Sequence, residues 1–324
     1  MNEFIDGIEL FASVLVELRD RAIGRSLPLE DIVLKACRDK LAYIDNRQHA
    51  KKYGFDFWES IRKEFKNEDE FRKWLTERNL NHRILYSKSD QFPDFMFKIG
   101  KSEGNLYGGS LLELKDSGSG SIASFNSTIP TKYKSLNELT IIDGNDLVLK
   151  IASIMDKNSA LEKDYTSFQR KCFYLIRTNR SKDEKIKISI VDGSFFETIP
   201  KEQLIHQMIL NMLSKESNIP ESLFKEIEKY LPSDQTTIVA SQKIEKASVR
   251  PRLRIMTEVH PEGNPHGSSY PEIKERTFNL ILQDSGYAKQ IQKNLEELTQ
   301  CINLDVFTIQ HKRNGKHIVF QYRF

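Results

Sequence analysis

The spacing of apolar residues predicts that the chain begins with helices. The apolar residues of the first predicted helix share one face: Phe4, Ile8, Phe11, Leu15 and Leu18. A second helix is predicted with Pro28 in its first turn, and its apolar stripe is Ile32, Val33, Ala36 and Leu41. Helical spacing continues at residues 57–65 and 71–75. These patterns predict that residues 1–82 form a helical N-terminal layer.

From residue 83 the apolar spacing changes to that of β-strands. The predicted strands lie at residues 84–86, 94–99, 110–116, 171–177 and 186–191. Helical spacing returns at residues 148–155 and 204–212. Strands interspersed with helices predict an α/β fold in which residues 83–215 form a core, with a mixed β-sheet flanked by helices.

The end of the chain, residues 216–324, is predicted to be an α+β part. An amphipathic stretch from Pro220 to Tyr230 predicts a short helix. Two apolar stretches then flank Asn314-Gly315, a pair of residues typical of a tight β-hairpin turn. The pattern thus predicts three parts, at residues 1–82, 83–215 and 216–324.

Two charged residues interrupt the apolar strand at residues 110–116. Alternation places Leu112 and Leu114 on one face and Glu113 and Lys115 on the other. Such charges are costly to bury unless they pair or hold a metal ion. Asp94 begins the earlier strand, and if the two strands pair, Asp94 and Glu113 converge. With the Leu114 carbonyl and water, they are the oxygen ligands that Mg²⁺ prefers. The alternative is a solvent-facing pair on an antiparallel sheet.

Pro93-Asp94 followed by Glu113-Leu114-Lys115 resembles the PD-(D/E)XK motif of nucleases, most closely that of type II restriction endonucleases. The resemblance implies a restriction-endonuclease-like core with Asp94, Glu113 and Lys115 as catalytic residues and Mg²⁺ as the cofactor. It also implies a further carboxylate from a preceding helix. Among three candidates, Glu59, Glu64 and Glu68, we rank Glu64 first because it shares a helical face with Phe57 and Ile61.

Three polar or basic segments are candidates for contacts with DNA. The first follows the predicted catalytic strand, and its candidate residues are Ser117, Ser119, Ser121, Ser124, Asn126, Ser127 and Thr128. The second is the cluster Arg250, Arg252 and Arg254, and the third is the hairpin turn with His311, Lys312 and Arg313. Such groups suit phosphate oxygens and base edges. The alternatives are a polar loop, a solvated strand face and a charged hairpin tip. His260 and His266 are predicted to lie in a surface loop and not in a metal site.

The composition of the chain says less about its function than these motifs do. The 324 residues contain 49 Lys and Arg against 46 Asp and Glu, so the net charge of +3 does not by itself indicate nucleic-acid binding. No apolar run approaches the roughly 18 residues of a membrane span, and the first residues lack a secretory signal. Cys37, Cys172 and Cys301 are widely spaced and predicted to be reduced core residues. These features predict a cytoplasmic protein without membrane contact.

The resemblance therefore predicts a bacterial or archaeal type II restriction endonuclease that cuts double-stranded DNA at a short sequence. It implies a homodimer, functionally paired with a DNA methyltransferase, in which residues 216–324 serve DNA recognition or dimerisation. Two alternatives remain open at this point. One is a repair or recombination nuclease on the same fold, and the other is a DNA-binding protein without catalysis.

Overall fold

The structure, a computed structural model, describes most of both ends of the chain and parts of its middle. The described residues are 2–20, 27–37, 41–43, 84–86, 92–97, 101–102, 105–106, 109–122, 124–126, 130–136, 167–198, 210–213, 215, 220–230, 256–300 and 303–324. Within these ranges no helix combines the length and the apolar character that crossing a membrane requires.

The described helices include the two predicted at the start of the chain. They are α1 (Ile5–Asp20), α2 (Leu29–Ala36), α3 (Glu221–Tyr230) and α4 (Ala288–Thr299). The predicted apolar face from Phe4 to Leu18 is buried, which confirms the first helix. The second helix is confirmed up to Ala36, with Pro28 at its N-cap and not in its first turn. α3 matches the helix predicted after Pro220.

Fourteen strands are described. They are β1 (Leu41–Tyr43), β2 (Ile84–Tyr86), β3 (Phe95–Phe97), β4 (Lys101–Ser102), β5 (Asn105–Leu106), β6 (Leu111–Asp116), β7 (Ser124–Asn126), β8 (Tyr133–Lys134), β9 (Arg170–Thr178), β10 (Lys187–Asp192), β11 (Met256–Glu258), β12 (Thr277–Gln283), β13 (Asp305–His311) and β14 (Gly315–Arg323). Ten form one sheet, in the order β1-β2-β3-β6-β9-β10-β12-β14-β13, with β8 beside β9. The remaining strands form two small pairs, β4 with β5 and β7 with β11.

The large sheet is mixed, which confirms the α/β class. The pairs β1–β2, β6–β9 and β10–β12 are parallel, and the other neighbours are antiparallel. The sheet takes β1 from the predicted N-terminal layer and β12, β13 and β14 from the predicted C-terminal part. It therefore continues across both predicted boundaries, and the division into three parts stays a prediction.

The two faces of the central strands have different coverings. On one face α1 packs on the sheet, where the ring of Phe11 stacks on that of Phe278 at 4.5 Å between centroids. The same face contains Leu112, Leu114 and Asp116 of β6 by alternation. The other face contains Glu113 and Lys115 and is covered by Phe125 of β7 and by residues 193–196. The predicted catalytic pair thus lies on the face opposite α1.

Two details of the sequence prediction are wrong. Leu41 was assigned to the helix that ends at Ala36, but it begins β1, which pairs with β2 in parallel. The N-terminal layer is consequently not all helical, because it supplies an edge strand. Ser124 and Asn126 of the polar segment lie in β7, paired with β11, and their assignment to DNA contacts stays a prediction. The helices predicted at residues 57–75 and 148–155, and Cys301, lie outside the described residues, whereas Cys37 and Cys172 are buried and reduced as predicted.

Gly193, directly after β10, tests how closely the chain packs against Thr131 and against Cys172 of β9. A Cβ atom at this position would lie 2.1 Å from the Thr131 carbonyl oxygen and 2.9 Å from that of Cys172. Because both obstacles are backbone atoms, we expect Gly193→Ala to lower the free energy of unfolding by about 2 kcal/mol or more. Urea denaturation measures this loss. Gly118→Ala is the matched control, since its nearest obstacle is the Ser181 hydroxyl at 3.9 Å. Equal stability of the two variants would contradict this packing.

Candidate active site

The pairing of β3 with β6 brings the two predicted carboxylates together. Phe95 lies opposite Leu112 and Met96 opposite Leu111. Asp94 directly precedes β3, so extending this antiparallel register by one residue puts it across from Glu113, whose charge acts on it. The Asp94 carboxylate accepts a hydrogen bond of 2.8 Å from the Leu114 backbone N–H. This bond fixes Asp94 at the point where β3 begins and directs its side chain toward β6.

Lys115 stands beside Glu113 on one face of β6. Its ammonium lies 2.6 Å from Glu113 Oε1, and both side chains are largely buried, with 18% and 8% of their surface exposed. The same ammonium lies 5.4 Å from the centroid of the Phe125 ring, a favourable contact for a cation. The ion pair offsets part of the cost of burying Glu113, and the remaining exposure leaves the ammonium in reach of solvent.

The electrostatics of Asp94 indicate a site that favours an added positive charge. Burial raises the pKa of Asp94 well above its usual range, and the negative charge of Glu113 raises it further. The Leu114 N–H and the Lys115 ammonium act in the opposite direction and lower this pKa, while Glu30 adds a further increase. Two carboxylates held side by side repel each other unless a proton or a cation lies between them.

A cleft opens beside Asp94 toward α2, and its lining from β6 is Leu114 and Asp116, which belong to the strand face opposite that of Glu113 and Lys115. Its volume is about 450 Å³, and its lining includes Glu30, Asp94, Asp116, Arg177 and Arg180. Arg177 is buried and binds Asp116 through two hydrogen bonds of 2.9 and 2.5 Å. Arg180 is about half exposed and lies 3.4 Å from Asp116. Arg177 is therefore held in place, while the exposed guanidinium of Arg180 can bind an anion that enters the cleft.

The donor set near Asp94 suits a hard divalent cation. Asp94 and Glu113 supply carboxylate oxygens, and the Leu114 carbonyl is a further candidate because the N–H and C=O of an extended residue face the same side. Within the described part of the chain, no group of three or more His, Cys, Asp or Glu side chains is arranged to hold a metal. The set therefore rests on two carboxylates and the backbone.

The serine-rich loop lies against the end of β9. Ser117 N donates to the Arg177 carbonyl at 2.8 Å, and Asn179 N donates to the Ser119 carbonyl at 2.8 Å. Ser117, Ser119 and Ser121 bond mainly to one another, for example Ser117 Oγ to the Ser121 carbonyl at 2.8 Å. The loop is exposed, and its own hydroxyl groups order it. It lies next to Arg180, whose backbone N–H donates to the Ser117 carbonyl at 3.1 Å.

The hairpin turn between β13 and β14 forms as predicted, with Lys312 and Arg313 exposed. His311 differs from the prediction, because only 4% of its surface is exposed. Its Nδ1 accepts hydrogen bonds from the backbone N–H groups of Arg313 and Asn314, at 3.1 and 2.9 Å. His311 therefore holds the turn together and is not placed to contact DNA from the surface.

Several predicted site residues lie outside the described residues. They are Glu64, with the other candidates Glu59 and Glu68, and Ser127, Thr128, Arg250, Arg252 and Arg254. Their assignments stay predictions. Sequence reasoning missed Glu30 and Arg180, which line the cleft beside Asp94. The sequence did carry a signal for Glu30, which follows Pro28 in the first turn of α2. Arg180 comes shortly after the end of β9, and its neighbours are visible only in the three-dimensional fold.

Comparisons with known proteins give no further assignment. A scan against protein-family models, a search of curated proteins and a search of solved structures each return no match to this chain.

His266 is part of the scaffold beneath the serine-rich loop, and it is buried, contrary to the predicted surface position. Its Nδ1 and Nε2 lie 2.8 and 2.7 Å from the hydroxyl groups of Thr178 and Ser189. The neighbouring Asn264 donates to the Gly120 carbonyl at 3.0 Å, which ties this segment to the loop. Exposed His260 agrees with the predicted surface loop.

Burial of His266 predicts a loss of stability in mild acid. Burial lowers its pKa from 6.5 to about 3, with a smaller contribution from the charge of Lys187. Between these values the unfolded chain takes up a proton that the folded chain does not, so the free energy of unfolding falls as the pH decreases below 6.5. The slope from this group approaches about 1.4 kcal/mol per pH unit. Urea denaturation between pH 6.5 and 5 should show His266→Gln with a shallower slope by nearly one proton; an unchanged slope would contradict this assignment.

Proposed function

We propose that this protein is a Mg²⁺-dependent endonuclease that hydrolyses phosphodiester bonds in double-stranded DNA at a short sequence, as type II restriction enzymes do. The observation that carries the proposal is the pairing of β3 with β6, which puts Asp94 within hydrogen-bond distance of the Leu114 N–H, next to Glu113, with the Lys115 ammonium 2.6 Å from Glu113. Two opposed carboxylates and one adjacent ammonium are the groups that metal-assisted phosphodiester hydrolysis uses. The PD-(D/E)XK resemblance supports the same activity.

Each residue has a distinct role in the proposed reaction. Asp94 and Glu113, with the Leu114 carbonyl, would hold Mg²⁺, which when bound polarises a phosphoryl oxygen and lowers the pKa of a bound water. Lys115 orients the attacking water and places a positive charge beside the negative charge that develops on the phosphate. The Leu114 N–H keeps the Asp94 carboxylate in position through the bond of 2.8 Å.

Binding of the DNA backbone is assigned to exposed groups around this site. Arg180 lies at the cleft beside Asp94, and Ser117, Ser119 and Ser121 form an ordered, exposed loop next to it. Lys312 and Arg313 add charge at the hairpin turn. A homodimer would give one active site for each DNA strand, and a companion DNA methyltransferase would protect the host's own sites. Both partners follow from the resemblance.

Asp94 and Lys115 should be essential for cleavage, and Asp94 should be dispensable for folding. We expect Asp94→Asn and Lys115→Ala each to reduce Mg²⁺-dependent cleavage at least about a hundredfold. In the absence of metal, Asp94→Asn should be as stable as the wild type or more stable, because it keeps an acceptor for the Leu114 N–H and removes repulsion with Glu113. Gel assays of DNA cleavage and urea denaturation measure the two effects.

The matched control for Lys115 is Lys182→Ala, because Lys182 is exposed in the turn after β9. This variant should cleave DNA as the wild type does. Wild-type cleavage by either Asp94→Asn or Lys115→Ala would remove the proposed active site. Discrete fragments would support a site-specific enzyme, whereas cleavage that follows DNA structure would favour a repair or recombination nuclease.

Arg180 should contribute one phosphate contact. We expect Arg180→Ala to weaken DNA binding and to decrease the slope of log K against log salt by about 0.9, because one fewer counterion is released. Fluorescence anisotropy with a labelled duplex in EDTA measures both quantities. Arg323→Ala is the control, since Arg323 is exposed on β14 and pairs with Asp305 at 3.4 Å. Identical salt slopes for Arg180→Ala and wild type would place Arg180 outside the DNA interface.

A further inference from the structure

A second cavity lies on the Lys115 face of the sheet. Its volume is about 440 Å³, which is in the range of small-molecule sites, and its walls include Phe125, Phe195 and Phe196. These rings pack edge to face, with centroids 5.2 Å apart for Phe125 and Phe196. Phe125 also contacts the Lys115 ammonium, so one aromatic side chain separates the cavity from the proposed active site.

The wall of this cavity presents one fixed hydrogen-bond donor. His311 lines the cavity and is 4% exposed. Because its Nδ1 accepts two backbone N–H groups, the neutral ring carries its proton on Nε2. Burial lowers the pKa of His311, which keeps the ring neutral. Among the described residues Nε2 has no hydrogen-bond partner, so this donor is available to a ligand.

Asn314 presents a fixed acceptor on the same wall. Its amide nitrogen donates to the carbonyl oxygens of Phe195 and Glu197, at 2.8 and 3.0 Å. These two bonds set the orientation of the amide and leave its oxygen as an acceptor, for which the described part of the chain supplies no donor. A group that enters this cavity thus meets one donor, one acceptor and the Phe196 side chain, whereas Phe125 and Phe195 are almost completely buried behind it.

The charges around the cavity disfavour an anionic occupant of its interior. Glu197, Glu258 and Glu262 are part of the lining, against Arg313 as the one strongly basic side chain among the lining residues that the structure describes. A phosphate or carboxylate would be repelled by these three carboxylates. A neutral planar ring with a donor and an acceptor on its edge fits all the observations, and Arg313 could bind an attached phosphate outside.

We propose that this cavity binds the base of a nucleotide, extruded from the DNA strand that enters the neighbouring active site. The proposal rests on the proposed nuclease function, because that function supplies the strand. Extrusion costs free energy because the base must unpair and unstack, and it costs least for a mismatched or single-stranded base. Contact with Phe196 and hydrogen bonds to the base edge compensate for part of that cost.

Thr198→Trp tests the proposal, because Thr198 is exposed and lines the cavity, so that an indole there fills the space without disturbing the core. The probes are a fluorescein-labelled single strand of mixed sequence and an abasic strand of the same length, titrated in EDTA. We expect the wild type to bind the base-containing strand at least about tenfold more tightly than the abasic strand. Thr198→Trp should lose that preference, and the control Ser285→Trp, at an exposed site outside the cavity lining, should keep it.

Absence of a base preference in the wild type, or a full preference in Thr198→Trp, would overturn the proposal. Because binding is measured in EDTA, its outcome is separate from cleavage. Mg²⁺-dependent cleavage without a base preference defeats the base pocket alone, and a base preference without cleavage defeats the nuclease alone. Competition by free deoxynucleoside monophosphates would extend the site to free nucleotides, whereas no competition would restrict it to bases within a strand.

Discussion

The register between β3 and β6 determines where the proposed catalytic groups lie. Phe95 opposite Leu112 places Asp94 beside Glu113, and the Leu114 N–H holds Asp94 in place. A register shift of one residue would move Glu113 and Lys115 to the α1 face. The buried apolar residues of both strands, Phe95, Met96, Leu111 and Leu112, are fully enclosed and resist such a shift. Core packing thus holds two carboxylates close together, although their negative charges repel each other.

The repulsion between Asp94 and Glu113 connects the stability of the fold with the proposed function. Burial and the charge of Glu113 raise the pKa of Asp94, so the pair is unfavourable in isolation. Lys115 relieves part of the repulsion, and a divalent cation would relieve more of it. Next to β6, Arg177 is buried and bound to Asp116 and to the Leu27 carbonyl, which hold its guanidinium in place. The groups that can move or bind, Lys115 and Arg180, are those that retain solvent exposure.

Much of this arrangement could be predicted from local sequence patterns. The helical spacing from Phe4 to Leu18 and the alternation around Glu113 and Lys115 were sufficient for α1 and β6. Leu41 was misassigned because a three-residue strand has no periodicity of its own, and its pairing with Ile84 is a contact between distant residues. His311 carried a local signal that was not used, since it follows the buried Ile309 by two residues on the same strand face. Glu30 and Arg180 meet Asp94 only through the three-dimensional fold.

Incubation of the purified protein with unmethylated phage DNA, in Mg²⁺ and separately in EDTA, tests the central claim most directly. The proposed arrangement of Asp94, Glu113 and Lys115 predicts discrete fragments in Mg²⁺ and intact DNA in EDTA. Sequencing the fragment ends would then identify the recognition site. Intact DNA under both conditions, with the same DNA retarded on a native gel, would contradict catalysis and indicate a DNA-binding protein.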